Sequence, residues 1–76
     1  MNNKRREKLK NIIGTLNMTI RALESVKDEE EDYMNNIPEN LQGGERYSMA
    51  EDACSYLEEA ISNIEEAIEN IDEARV

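Results

Sequence analysis

The fold class the sequence predicts is all-α: an antiparallel two-helix hairpin that self-associates into a helical bundle. Three observations predict it. Apolar residues recur at three- and four-residue steps through the first half of the chain. A seven-residue repeat fills most of the second half. Between them lies one short segment holding the only proline and two of the three glycines. A single hairpin domain, 1–76, is expected from so short a chain.

The first helix is expected over about 3–35. Leu9, Ile12, Ile13, Leu16, Ile20, Leu23 and Val26 form its apolar stripe, and Tyr33, Met34 and Ile37 resume it after the acidic run Asp28–Asp32. This is the period of an amphipathic helix. Gly14 sits inside it and costs roughly 1 kcal/mol relative to alanine, unless a close neighbouring backbone needs the space. Lys27 and Glu30 fall near the stripe, which anticipates a polar contact there.

The connector is expected at 36–44. Pro38 disfavours helical geometry at Ile37 and suits the start of a new turn. One short turn is expected at 38–42, with Gly43 ending it in the left-handed conformation. Ser48-Met49-Ala50-Glu51 has capping-box spacing and offers a later start for the second helix. The earlier start, at Glu45, is preferred.

The second helix is expected over about 45–75. Leu57-Glu58-Glu59-Ala60-Ile61-Ser62-Asn63 is followed by Ile64-Glu65-Glu66-Ala67-Ile68-Glu69-Asn70. One column runs Ala50, Leu57, Ile64, Ile71; a second is Ala53, Ala60, Ala67, Ala74; a third is Cys54, Ile61, Ile68. Three apolar positions in seven make a stripe wider than a two-stranded seam requires. The alanine column is expected to let the helix axes approach closely. Burying the edges of so wide a stripe needs more helices, so a homo-oligomer is expected, most simply two hairpins in a four-helix bundle.

With the turn near residue 40, facing residues sum to about 80. Leu9 is then expected opposite Ile71, Leu16 opposite Ile64, and Leu23 opposite Leu57. The same register sets Lys4–Lys10 beside Glu66, Glu69, Asp72 and Glu73. Charge supports this arrangement. Residues 1–27 carry seven Lys/Arg and two Glu, a net of +5; residues 28–44 net −6; residues 45–76 net −8. The three sum to the chain's −9.

Composition and motifs argue against catalysis. There is no histidine, so the usual base near neutral pH is missing. The single cysteine, Cys54, lies on the apolar stripe and reads as a small buried hydrophobe. Ser55 and Ser62 have no recognisable base, and Gly43-Gly44 is a turn rather than a phosphate loop. No cofactor and no metal are expected. The Asp28–Asp32 run lacks the spacing of a calcium loop, and no Glu-x-x-His pair exists for a di-iron site. A lone cysteine, and no apolar stretch suited to a signal or a membrane span, suggest a cytoplasmic protein.

Binding is the better reading. Glu51, Glu58, Glu65 and Asp72 form one acidic line and Asp52, Glu59, Glu66 and Glu73 its neighbour, stepping about 10.5 Å per heptad. Such a stripe suits solubility, and it also suits the basic groove of another protein. Glu58, Glu59, Glu65 and Glu66 are the candidate partner-binding residues. Direct nucleic-acid binding is not expected at this net charge. A rival reading is an oligomer that sequesters a nucleotide-like anion, held by Arg5, Arg6 or Arg46 from converging basic termini, with Tyr47 (or Tyr33 or Tyr56) stacking on it. The connector residues Glu39, Asn40, Gln42 and Arg46 are further candidates, since binding residues concentrate on loops.

The string from Asn36 to Tyr47, with the Glu-Glu-Ala-Ile repeats after it, resembles a group of short uncharacterised acidic helical proteins of bacterial genomes and their phages or mobile elements. The resemblance covers most of the chain. It implies a context rather than an activity: small acidic phage-borne proteins often bind host proteins, and some small helical ones sequester cyclic nucleotides. It carries over no functional residue.

Overall fold

The computed structural model describes residues 1–76 as two long helices joined by a short turn. Helix α1 spans Asn3–Asn35, a 3-10 turn spans Glu39–Leu41, and helix α2 spans Glu45–Ala74. The helices pack antiparallel into a rod of 59 × 15 × 11 Å across its Cα atoms.

Local chemistry sets each boundary. Asn2 caps α1, its Oδ1 accepting from the Arg5 backbone N–H at 2.8 Å. Pro38 ends α1 from outside, and its carbonyl accepts from the Leu41 N–H at 2.8 Å to close the 3-10 turn. Gln42 Nε2 donates to the Ile37 carbonyl at 3.2 Å, tying the turn back to the end of α1. Helix α2 begins at Glu45, behind Gly44, so Ser48 lies inside the helix and its capping-box spacing goes unused. Gly43 does not adopt the left-handed conformation expected of it; no residue has a positive φ. The connector closes through right-handed geometry at Gln42 and extended backbone at Gly44. A side chain at Gly44 would meet the Leu41 carbonyl at 3.2 Å, which makes Gly44 the spatially constrained glycine of the pair.

The seam of α1 runs Arg6, Leu9, Ile13, Leu16, Ile20, Leu23, Lys27, Glu30, Met34, Ile37, each at least half-buried. That of α2 runs Tyr47, Ala50, Cys54, Leu57, Ile61, Ile64, Ile68, Ile71, Arg75. Both alternate steps of three and four, the signature of a coiled-coil interface. The structure therefore corrects two expectations. Cys54, Ile61 and Ile68 belong to the seam, and the alanine column flanks it. Facing residues also sum to more than 80. Arg6 Nε donates to the Arg75 carbonyl at the free end, and Lys27 pairs with Glu58 in the middle, giving sums of 81 and 85. The seam ends, Ile37 and Tyr47, set this register rather than the helix ends. Ile20 thus lies level with Ile64, and Leu23 with Ile61.

Only Ile20, Ala50 and Cys54 are buried. One hairpin has almost no enclosed core, as expected where two helices bury a single stripe. Nothing lies within 4 Å of a Cβ built on Gly14, so its cost is simply borne by the helix. Gly14→Ala is expected to raise stability by about 1 kcal/mol, roughly 4–8 °C in Tm for a domain this small. Thermal unfolding followed by circular dichroism checks it, and an unchanged or lowered Tm would show that Gly14 has a packing role.

Candidate functional site

The seam divides the rod into two unlike long faces. On one side of it, α1 carries Lys10, Asn17, Glu24 and Glu31 and α2 carries Glu51, Glu58, Glu65 and Asp72. The contacts fix these columns on the same side. Lys27 Nζ reaches Glu31 at 3.4 Å and Glu58 at 3.0 Å, and Asn17, Arg21 and Glu24 share a shallow groove with Glu65 and Glu69. The second acidic line, Asp52, Glu59, Glu66 and Glu73, continues this surface round the back of α2.

On the other side, α1 carries Ile12, Thr19, Val26 and Tyr33, and α2 carries Arg46 and then Ala53, Ala60, Ala67 and Ala74. Tyr33 and Arg46 line one cavity with Ile37, Pro38 and Leu41, which fixes these two columns together. Next to them lie Thr15 and Ala22 on α1 and Met49, Tyr56, Asn63 and Asn70 on α2. From Ile12 to Val26 and from Met49 to Ala74 this face bears no charge.

The candidate partner-binding residues Glu58, Glu59, Glu65 and Glu66 are all exposed, Glu58 and Glu65 beside the seam and Glu59 and Glu66 round the back of α2. Glu58 has a second commitment. It is Lys27's cross-helix partner, the one ion pair joining the helices. The hydrogen bond to Glu58 is the main cause holding Lys27's pKa above its ordinary 10.5; desolvation opposes it and Glu31 adds to it. Lys27 occupies an apolar seam position, and its amine leaves the seam to reach the largely exposed Glu58 carboxylate.

The expected pairing of Lys4–Lys10 with the acidic residues of α2 does not form. None of these cations makes an ion pair within 4 Å; Arg6 instead donates to the Arg75 carbonyl and to Asn3 Oδ1. Long exposed cations keep their hydration more cheaply than they form pairs. Their placement also opposes the helix dipoles. Lys4, Arg5 and Arg6 stand in the first turn of α1, and Asp72 and Glu73 in the last turn of α2.

The candidate ligand residues are not brought together. Arg5 and Arg6 lie at the free end and Arg46 and Tyr47 at the turn, at opposite ends of a 59 Å rod. Arg46 lines the connector cavity, of about 480 Å³, while Tyr47 lies in the seam. Glu39, Asn40 and Gln42 are outside the cavity lining, and Tyr33, Ile37, Pro38 and Leu41 supply most of its apolar wall. The sequence signal for this cavity was Tyr33, one heptad step beyond Val26.

Cys54 is buried in the seam, and that burial is the main cause pushing its thiol pKa above 9.0, with Glu31 and Glu30 adding to it. Cys54 and Lys27 both hold their protons more tightly in the folded chain. Their contribution is therefore complete below about pH 9 and is lost as pH rises through the raised values. Urea unfolding is expected to show a falling midpoint above pH 9. In the native state at pH 8, Cys54 is expected to react with a thiol reagent only as fast as the helices open; prompt stoichiometric reaction contradicts its burial.

No helix is long and apolar enough to cross a membrane. No three His, Cys, Asp or Glu side chains lie close enough to hold a metal ion. The fold and its faces define a class, a two-faced α-helical hairpin. Comparison places it no further: no protein-family model matches the chain, and neither does any curated protein or solved structure.

Proposed function

We propose that the chain is a non-catalytic interaction module, self-associating in the cytoplasm, that presents an acidic helical surface to a basic protein. One observation carries the reading: two acidic heptad lines run exposed along α2, one beside the seam and one round the back of the helix. The resemblance to phage and mobile-element proteins points to a host protein as the basic partner, with the module as its inhibitor. Nearly absent burial in a single hairpin supports self-association, because so little core stabilises a lone domain poorly.

The test is affinity capture of basic proteins from a bacterial lysate by the chain and by a variant with Glu59, Glu65 and Glu66 changed to lysine. Glu58 is left in place because it holds Lys27. A partner retained by the first and lost by the second supports the acidic face; equal retention sinks it.

The connector cavity favours one rival, a nucleotide-like anion at Arg46 with the Tyr33 ring beside it. Calorimetry against a nucleotide panel tests this, and absence of heat throughout removes it.

A further inference from the structure

We infer that the uncharged face is the self-association surface, and that a second copy lies on it antiparallel, with α1 against α1 and α2 against α2 about a two-fold axis near Thr19. The inference rests on the self-association proposed above and names its surface, orientation and register.

Size and composition favour a second copy as the occupant. The long face of a 59 × 15 Å rod is about 900 Å², close to the roughly 800 Å² that each partner of a standard interface contributes. Copies carrying a net charge of −9 repel across their acidic sides, and this face is where they can approach without juxtaposing like charges. It holds Ile12 at 46%, Val26 at 50% and Tyr33 at 47% exposed, large side chains that a lone rod leaves in water. Its hydroxyls need no outside partner, because Thr15 and Thr19 Oγ1 already donate to the carbonyls four residues back, at 3.2 and 3.0 Å.

The register follows from the sequence read backwards along this face. The α1 column Arg5, Ile12, Thr19, Val26, Tyr33 sets one β-branched aliphatic residue at an equal step on either side of Thr19. Reversed on a second copy, Ile12 meets Val26, Thr19 meets Thr19, and Arg5 meets Tyr33, a cation over an aromatic ring. In the neighbouring column Thr15 meets Ala22 and Lys8 meets Glu29. At the hairpin's own register the same axis falls near Glu65 of α2, which sets Ala67 level with Asn63 and Ala60 level with Asn70 of the second copy. The alanines on this face allow these two helices to come close.

Charge selects this orientation. Residues 4–10 hold five cations and one Glu, a net of +4, and residues 28–32 are five acids, a net of −5. Antiparallel packing lays the first against the second. Parallel packing gathers both acidic runs at one end. The basic first turn of α1, unfavourable to its own helix dipole and unpaired within the chain, finds its counter-charge on the second copy. The same packing brings Arg5 and Met1 of the second copy to the connector cavity, while both acidic faces stay outward.

The test combines sedimentation equilibrium of the unmodified chain with thiol cross-linking of Thr19→Cys and Ser62→Cys by a short bis-maleimide. Ser62 lies at a similar height on the opposite side, and the unmodified chain controls for Cys54. A dimer that Thr19→Cys cross-links and Ser62→Cys does not is the expected result. A dimer that Thr19→Cys fails to cross-link, or that Ser62→Cys does, overturns the assigned face and leaves self-association standing. A monomer at every concentration overturns both. Val26→Lys, on an exposed site, is expected to keep its helicity and to raise the dimer dissociation constant at least about tenfold; an unchanged constant also overturns the assignment.

Discussion

Ile20→Asp is expected to abolish the folded hairpin. Ile20 is 8% exposed, the one large aliphatic side chain the rod buries, and it lies at the middle of the seam, level with Ile64. The substitution removes its packing and puts a carboxylate at a buried seam position, beside the acidic side chains Glu24 and Glu65 of the same groove. Loss of the buried side chain and desolvation of the charge together cost about 3–5 kcal/mol. A core this small supplies rarely more than about 3–5 kcal/mol in total. Circular dichroism at 25 °C is expected to show most of the helical signal gone and no cooperative thermal transition. Met18→Asp, two residues away and 68% exposed, is the control and is expected to melt like the parent. Should Ile20→Asp keep a cooperative transition, the seam centred on Ile20 does not hold the helices together.

Changing Glu59, Glu65 and Glu66 to lysine is the second large effect expected, on binding rather than folding. All three side chains are exposed and bear on no hydrogen bond or ion pair within the chain. Stability should therefore move little. Each reversal converts an attraction for a basic partner into a repulsion, worth about 1 kcal/mol or more at an interface, so affinity should fall about a hundredfold or more. The difference should shrink with added salt, since screening lengths fall to about 8 Å at physiological ionic strength. Surface plasmon resonance against the captured partner reads it. Undiminished affinity at low salt would place the contact elsewhere, the connector being the next candidate.

Much of the fold was legible because two independent signals agreed. The heptads of α2 and the three-and-four spacing of α1 each demanded a helix, and Pro38 could only interrupt one. Lys27 on an apolar stripe announced a polar contact, though not that Glu58 would answer it. What the sequence misled on were quantities that depend on packing between the helices. Taking the turn's midpoint from the helix ends put the register near 80; the seam ends Ile37 and Tyr47 moved it. The alanine column was assigned to the seam because three apolar columns compete for two places, and only burial of Cys54 shows which pair won. With the alanines displaced to the flank, the uncharged face emerges as a surface distinct from the acidic one. A reading of α2 alone could not see it, since half its residues come from α1.

Native mass spectrometry of freshly purified protein tests the central claim, self-association of the hairpin, most directly. The expected species has twice the 8.8 kDa chain mass, with no added ligand. A bare monomer across the accessible concentration range would contradict it.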